Sequence, residues 1–433
     1  MMGFAHRKSL QQITDPRQRA PERLAKSFNG ISGALIAVRL CALSIAFLLP
    51  LAACSSLNSG IGRGAGGTTP SPQTETTPPQ PNAGEEIGSG PARVALILPM
   101  TQASGPSNVG TSLRNAAELA YLDAGGNDVT LLIKDDHSNP EGARAATEEA
   151  LSDGAELIIG PLFASSVREV GKTAHASGKP VIAFSTDAST AGPNLYLLSF
   201  LIENYVDRIM DFAASKGKKS IAALIPDNDY GRVAETEFQQ AAARNNMRIM
   251  MIEHYQQGTM GEALQQIAAL HDQIDSLFIP EQAEAIQAMS QTMAAAGITS
   301  SKVQILGTGL WNDARVLKLP ALQGAWFAAP ENGGYNAFVE RYRAKYHSDP
   351  VRIATLAYDA VSLAAALAHT QGSQRYAENV LTNRSGFKGA DGVFRFNPDG
   401  TNERGLAVME ITNGTGVTIS PAPRSFGSSA SAI

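Results

Sequence analysis

Val94-Ala95-Leu96-Ile97-Leu98, an unbroken apolar run, is the stretch on which the fold is read. A strand with one wet face alternates apolar with polar residues, whereas a continuous run marks a strand covered on both faces, as in parallel sheets. Outward from it, Asn108–Leu122 sets Leu113, Ala116, Ala117, Ala120 and Tyr121 at helical spacing. Val129–Ile133 reads as a second strand, and Pro140–Leu151 as a second helix opened by a proline in its first turn. Leu157–Ile159, a helix at Ser165–Ala176 and the run Pro180–Phe184 extend the alternation. Strand and helix in turn, with short links, predict a doubly wound parallel sheet.

The cycle then restarts. After a helix at Glu203–Ser215 come a strand at Ser220–Ile225, a helix at Arg232–Arg244 and a strand at Arg248–Ile252. A helix at Gly261–Leu270, a strand at Ser276–Ile279, a helix at Glu281–Ala296 and a strand at Val303–Leu306 follow. The fold class is therefore α/β, two doubly wound lobes joined by a hinge, because a single core stops growing near about 250–300 residues. Later come a strand at Ala325–Ala329, helices at Gly334–Tyr346 and Ile353–Ala368, and β-structure at Gly386–Phe396 and Leu406–Ile411 joined through the turn signal Asn397-Pro398-Asp399-Gly400. The chain is thus expected to revisit both lobes: 91–200 with about 328–385 as lobe 1, 201–327 with about 386–421 as lobe 2, and 422–433 as a tail.

Before the first strand the composition differs. Residues 1–53 carry seven Lys/Arg and two Asp/Glu, ending in the short apolar core Leu40–Leu49. A basic segment, a short apolar core and small residues form a secretory signal, the core being well under the ~20 residues of a membrane span. Leu51-Ala52-Ala53-Cys54 resembles the bacterial lipobox, which implies a lipoprotein signal with Cys54 as the lipidation site. Residues 54–90, rich in Ser, Gly, Thr and Pro, read as a flexible tether, since so few large apolar groups cannot offset ordering entropy. Beyond residue 53 the chain has 28 basic and 38 acidic residues, a net of −10, unlike a surface built to neutralise phosphates. Cys41 and Cys54 lie in or beside the apolar core and form no disulfide framework.

Ligands of open α/β sheets sit beyond the carboxyl ends of strands. Gly160-Pro161-Leu162-Phe163-Ala164-Ser165-Ser166 leads into a helix and offers hydroxyls and free N–H groups suited to a carboxylate, or else a plain serine cap. Ser185-Thr186-Asp187-Ala188-Ser189-Thr190 has the same polar character after the next strand, and Asp227-Asn228-Asp229-Tyr230-Gly231 supplies an aromatic in the second lobe. No GxSxG elbow, HExxH helix or GxxxxGK[ST] loop occurs, so the chain is read as a binder without an activity of its own. Asp135-Asp136-His137 reads as a solvated loop before the helix at Pro140, and no cofactor or metal is expected.

VALILPM, LIIGPLFASS (Leu157–Ser166), PVIAFST (Pro180–Thr186), IPDNDYG (Ile225–Gly231), LGTGLW (Leu306–Trp311) and RIATLAYDAV (Arg352–Val361) together resemble type I periplasmic binding proteins of the leucine/isoleucine/valine-binding family. The resemblance implies two lobes joined by three crossings around a cleft for a small solute, and an ABC permease as partner. It assigns ligand-binding roles to Ser165 and Ser166 on the carboxylate, to Ala188 and Ser189 on the second loop, and to Tyr230 in the cleft. Leu306–Trp311 departs from the family: amino-acid binders often carry there an acidic group for the ammonium, and this chain has Gly309, Leu310 and Trp311, leaving Asp187 or Asp313 as substitutes. The lipid anchor and GTGLWNDARV (Gly307–Val316) also resemble the penicillin-binding-protein activators, lipoproteins whose comparable domain contacts a peptidoglycan synthase. Both readings place the protein in the cell envelope, lipid-anchored in the periplasm, with the outer membrane favoured by Ser55.

Overall fold

The structure, a computed structural model, describes residues 84–256 and 258–427. The signal, Cys54 and most of the tether lie outside the described residues, as do residues 428–433.

The first sheet contains β1 (Glu86–Ile87), β2 (Ala92–Leu98), β5 (Val129–Asp135), β6 (Leu157–Ile159), β7 (Val181–Ala183) and β8 (Leu195–Leu197), in the order β1-β5-β2-β6-β7-β8. A small hairpin of β3 (Thr101–Gln102) and β4 (Gly105–Pro106) follows β2. Within the six-stranded sheet all strands but the antiparallel β1 run parallel. The side chains of β2 show why the opening run is apolar throughout. Val94, Leu96 and Leu98 enter the core beneath α1 (Asn108–Asp123), while Ala95 and Ile97 enter the one beneath α2 (Pro140–Ser152) and α3 (Ala164–Ser177). Ser107 and Asn139 cap α1 and α2 by accepting from Gly110 and Gly142, which fixes where each helix begins.

From β8 the chain crosses into α4 (Ile202–Ser215) and builds β9 (Ser220–Pro226), α5 (Asp229–Arg244), β10 (Arg248–Tyr255), α6 (Met260–Ala268), β11 (Ser276–Phe278), α7 (Ala283–Ala295), β12 (Gln304–Gly307), α8 (Ala314–Leu317) and β13 (Trp326–Ala329). The parallel strands stand as β10-β9-β11-β12-β13. In chain order both sheets read second, first, third, fourth, fifth, so the two lobes repeat one topology. The chain then returns through α9 (Asn332–Tyr346) and α10 (Ala354–Thr370), whose Phe338, Tyr342, Ala357 and Val361 pack into the first lobe, followed by α11 (Glu378–Leu381).

The closing segment differs from the sequence reading. β14 (Phe387–Gly389), β15 (Gly392–Phe396) and β16 (Asn402–Arg404) make a separate three-stranded sheet. Phe394 and Phe396 enter the first-lobe core, and only β17 (Ala407–Thr412) and β18 (Thr415–Ser420) extend the second sheet. The 397–400 turn therefore joins β15 to β16 rather than to the strand at 406–411. A turn signal names the bend but not the partner strand, and β17 instead pairs with β13 on one side and β18 on the other. Two stretches read as loose are also docked. Glu86 and Ile87 pair with Leu132 and Leu131 at the end of the expected tether, and in the expected tail Ala422 donates to Glu331 at 3.0 Å.

Candidate functional site

Two of the crossings locate the site. Parallel β8 leaves its carboxyl end and enters α4 within four residues, and parallel β13 leaves its own and enters α9 within two. The carboxyl edges of both sheets therefore meet where the chain passes between lobes, and the loops beyond them define a cleft.

On the first lobe, β6 exits through Gly160, which has φ +90° and would carry a Cβ 2.0 Å from the Ile97 carbonyl oxygen. Only glycine lets this loop pass so close to β2. The loop ends at Phe163, which makes no side-chain cap for α3, so the first-turn N–H groups of a 14-residue helix remain available to an anion. Ser165 is exposed in that turn. Ser166 is fully buried and its hydroxyl has no partner, so it faces the lobe interior rather than the cleft.

Beyond β7, Asp187 caps the short 3-10 turn Ala188–Thr190. Its carboxylate takes the Ser189 hydroxyl at 2.6 Å, the Ser189 N–H at 3.0 Å and Arg168 Nη2 at 2.6 Å. These bonds, the Ser189 hydroxyl foremost, hold Asp187 below the usual carboxylate range. Ser189 is exposed but spends its proton on Asp187; Ala188 beside it is half-buried. No hydrogen bond among the described residues joins Ser165 to this loop.

On the second lobe Tyr230, in the first turn of α5, meets Thr308 beyond β12 with their oxygens 3.2 Å apart. Burial pushes the Tyr230 phenol up. A Cβ on Gly309 would fall 2.4 Å from the ring of buried Tyr205 of α4. Burial pushes that phenol up to about 12 against the opposing pull of Arg352 and Arg404. Trp311 is fully buried and donates to the Glu281 carbonyl at 3.2 Å, so it anchors the loop in the core beneath α7. Asp313 caps α8 and pairs with Arg315 at 2.7 Å, which commits it locally.

Two groups escaped the sequence reading. Glu203, in the first turn of α4, has a shielded carboxylate oxygen without a partner, and burial foremost raises its pKa, helped by Glu237 and Asp187. An acidic residue opening a helix is ordinary on sequence grounds, so nothing singled it out. Behind the cleft, Arg352 grips buried Asp391 with both Nη atoms at 2.7 and 2.6 Å and stacks on Tyr335 and Phe200. Buried Arg404 also lies over Phe200, next to the crossing into α4. The rim is apolar: Phe163, Val233 and Leu310 remain 44%, 43% and 37% exposed beside these loops.

The Asp135–His137 loop is only partly solvated. Asp136 is fully buried, and burial pushes its carboxyl up to about 6. Asp135 accepts from Met100 and Thr101 and so ties the β3–β4 hairpin to β5. Among the described residues no group of three or more His, Cys, Asp or Glu is placed to hold a metal ion.

A family model described as periplasmic binding protein matches residues 91–416. No curated protein matches the sequence. Among solved structures, a branched-chain amino acid ABC transporter protein from Rhodospirillum rubrum is 18% identical, with 76% of this chain and 99% of that one covered and a TM-score of 0.68. The branched-chain amino acid substrate-binding protein of Streptococcus pneumoniae in complex with isoleucine is 19% identical, with 76% and 99% covered and a TM-score of 0.54. A solute-binding protein of R. palustris in complex with benzoate is 20% identical, with 78% and 97% covered and a TM-score of 0.54.

Proposed function

The chain belongs to the periplasmic binding protein family, and from that premise we propose that it captures a small amino-acid-like solute between its lobes and delivers it to an ABC importer, held at the cell envelope by an acylated Cys54. The observation that carries the reading is the pairing of chemistries across the cleft: an uncapped α3 N-terminus with exposed Ser165 on one edge, and the Tyr230–Thr308 pair on the other. The first suits a carboxylate and the second a polar headgroup, while Phe163, Val233 and Leu310 offer apolar surface to a side chain. Ser165, Ala188, Ser189 and Tyr230 lie on these loops; Ser166 supports α3 from within. A structural neighbour's complex with isoleucine supports an amino acid, and another's with benzoate supports a carboxylate.

Thermal denaturation with leucine, isoleucine and valine tests this. A solute at 100 times its dissociation constant adds about 2.7 kcal/mol. With an unfolding entropy of about 2.1 cal/mol/K per residue over roughly 340 residues, that is a rise of about 4 °C. Absence of any shift across all amino acids and simple carboxylates would refute solute capture. Mass spectrometry of the envelope-extracted protein reads the lipid on Cys54, and an unmodified thiol there removes the anchor.

One observation favours a second reading, an activator that binds a peptidoglycan synthase: the loop beyond β12 presents apolar Leu310 where amino-acid binders often place an acidic side chain. Retention of a peptidoglycan synthase by the immobilised protein, together with no thermal shift from any solute, selects it over transport.

A further inference from the structure

Most carboxylates around the cleft have a partner: Asp227 accepts from Gln256, and buried Glu281 accepts from Tyr255 and from the Gln282 N–H. Asp187 is paired with Arg168, Asp313 with Arg315, Asp229 with Arg232, and both Asp207 and Glu237 with Arg244. Glu203 has no cationic partner among the described residues, and its Oε2 is shielded from solvent and makes no hydrogen bond. It stands at the crossing between the lobes, close enough to Asp187 of the first lobe and Glu237 of the second for both charges to act on it, and its own charge reaches Tyr230. It also lines a cavity of about 330 Å³ shared with Arg232, Val233, Thr236, Glu237 and Gln240, within the range of roughly 300–1,000 Å³ typical of small-molecule sites. Leaving an ionised oxygen shielded and unpaired is costly, and either a proton or a bound cation relieves that cost.

We infer that Glu203 holds the ammonium group of the captured solute, so that the ligand class is an α-amino acid with an apolar side chain rather than a bare carboxylate. The inference rests on the proposed solute-capture role and assigns to α4 the counter-charge that the loop beyond β12 lacks. The headgroup then spans from the α3 N-terminus to Glu203, and Val233 on the cavity wall takes part of the apolar remainder. Because burial raises the Glu203 pKa, binding weakens as pH falls through it, with Tyr230, Asp187, Arg168, Arg232 and Glu237 as the charged or titratable groups around it.

Calorimetric titration of the wild-type protein and Glu203→Gln compares each amino acid with its deaminated twin: leucine with 4-methylpentanoate, and phenylalanine with 3-phenylpropanoate. The wild type is expected to prefer the amino acid. Glu203→Gln is expected to lose roughly 30-fold or more toward it, because the ammonium is left unpaired, while its affinity for the acid holds or improves. Glu203→Asp restores part of the preference, and the unliganded Glu203→Gln protein melts no lower than wild type because a shielded charge has been removed. Equal binding of leucine by wild type and Glu203→Gln overturns the assignment, as does tighter binding of 4-methylpentanoate than of leucine by the wild type. Both of these leave solute capture standing, whereas no binding by any of the four compounds and no thermal shift with any other amino acid refutes capture itself.

Discussion

Replacing Trp311 with alanine removes the largest fully buried side chain among the described residues from the loop that closes the second-lobe edge. Trp→Ala in a core costs about 3–5 kcal/mol, the spread reflecting how far the site collapses. Dividing by about 0.7 kcal/mol/K, the unfolding entropy of a fold of this size, gives a fall in Tm of about 4–7 °C. The indole lies against Gly307, where an added Cβ would sit 2.2 Å from the ring, and φ there is not in the left-handed region. Gly307→Ala alone is therefore an overpacking substitution costing about 1–3 kcal/mol. In the Trp311→Ala background the same methyl enters vacated space and costs little. The double-mutant cycle, measured by calorimetry or urea denaturation, should return a favourable coupling of about 1–3 kcal/mol. Additive effects would show that Trp311 and Gly307 do not pack as described, and the account of this loop as a core-anchored ledge would fail.

Three further outcomes follow from other contacts. Asp391→Ala strips buried Asp391 from Arg352 and Thr355 and leaves a half-exposed guanidinium unpaired, for which about 2–3 kcal/mol and a Tm loss of about 3–4 °C are expected by calorimetry; a change under 1 °C contradicts it. Burial raises Asp359 to about 7, so between pH 4 and 7 the native state binds a proton that the unfolded chain has released, and stability from this group falls as pH rises through that window. Asp359→Asn should flatten the decline in urea midpoint between pH 4.5 and 7.5, and an unchanged slope refutes the assignment. Gly160→Ala forces a methyl into the Ile97 carbonyl at a left-handed backbone position, and its Tm should drop more than that of Gly192→Ala, where a Cβ meets nothing within 4 Å.

What the sequence made legible follows from how each feature is encoded. Burial on both faces demands continuous apolar runs, so β2, β5, β9 and the helices between them could be read directly, and the repeat of that pattern gave two lobes. β8 was missed because three residues, Leu195–Leu197, carry too little periodicity to stand out. The hairpin partner was misread because Asn397–Gly400 encodes a bend, whereas β17 is chosen by the vacant edge of β13. Ser165 and Ser166 looked equivalent, yet successive residues of a helix point about 100° apart, and the phase that buries Ser166 is set by packing against the sheet. Trp311 carried no sign of whether it faced the cleft or the core. The Arg352–Asp391 pair joins residues 39 apart, a proximity only the folded chain creates.

The central claim, that the lobes close on a solute, is tested most directly by the distance between them. Spin labels at exposed Lys172 on α3 and Gln239 on α5, in a chain with Cys41 and Cys54 replaced by serine, report it by pulsed electron resonance. With the amino acid that gives the largest thermal shift, the distribution is expected to narrow and move to shorter distance, as in hinge closure. An identical distribution with and without that amino acid at saturation would contradict closure around a bound solute.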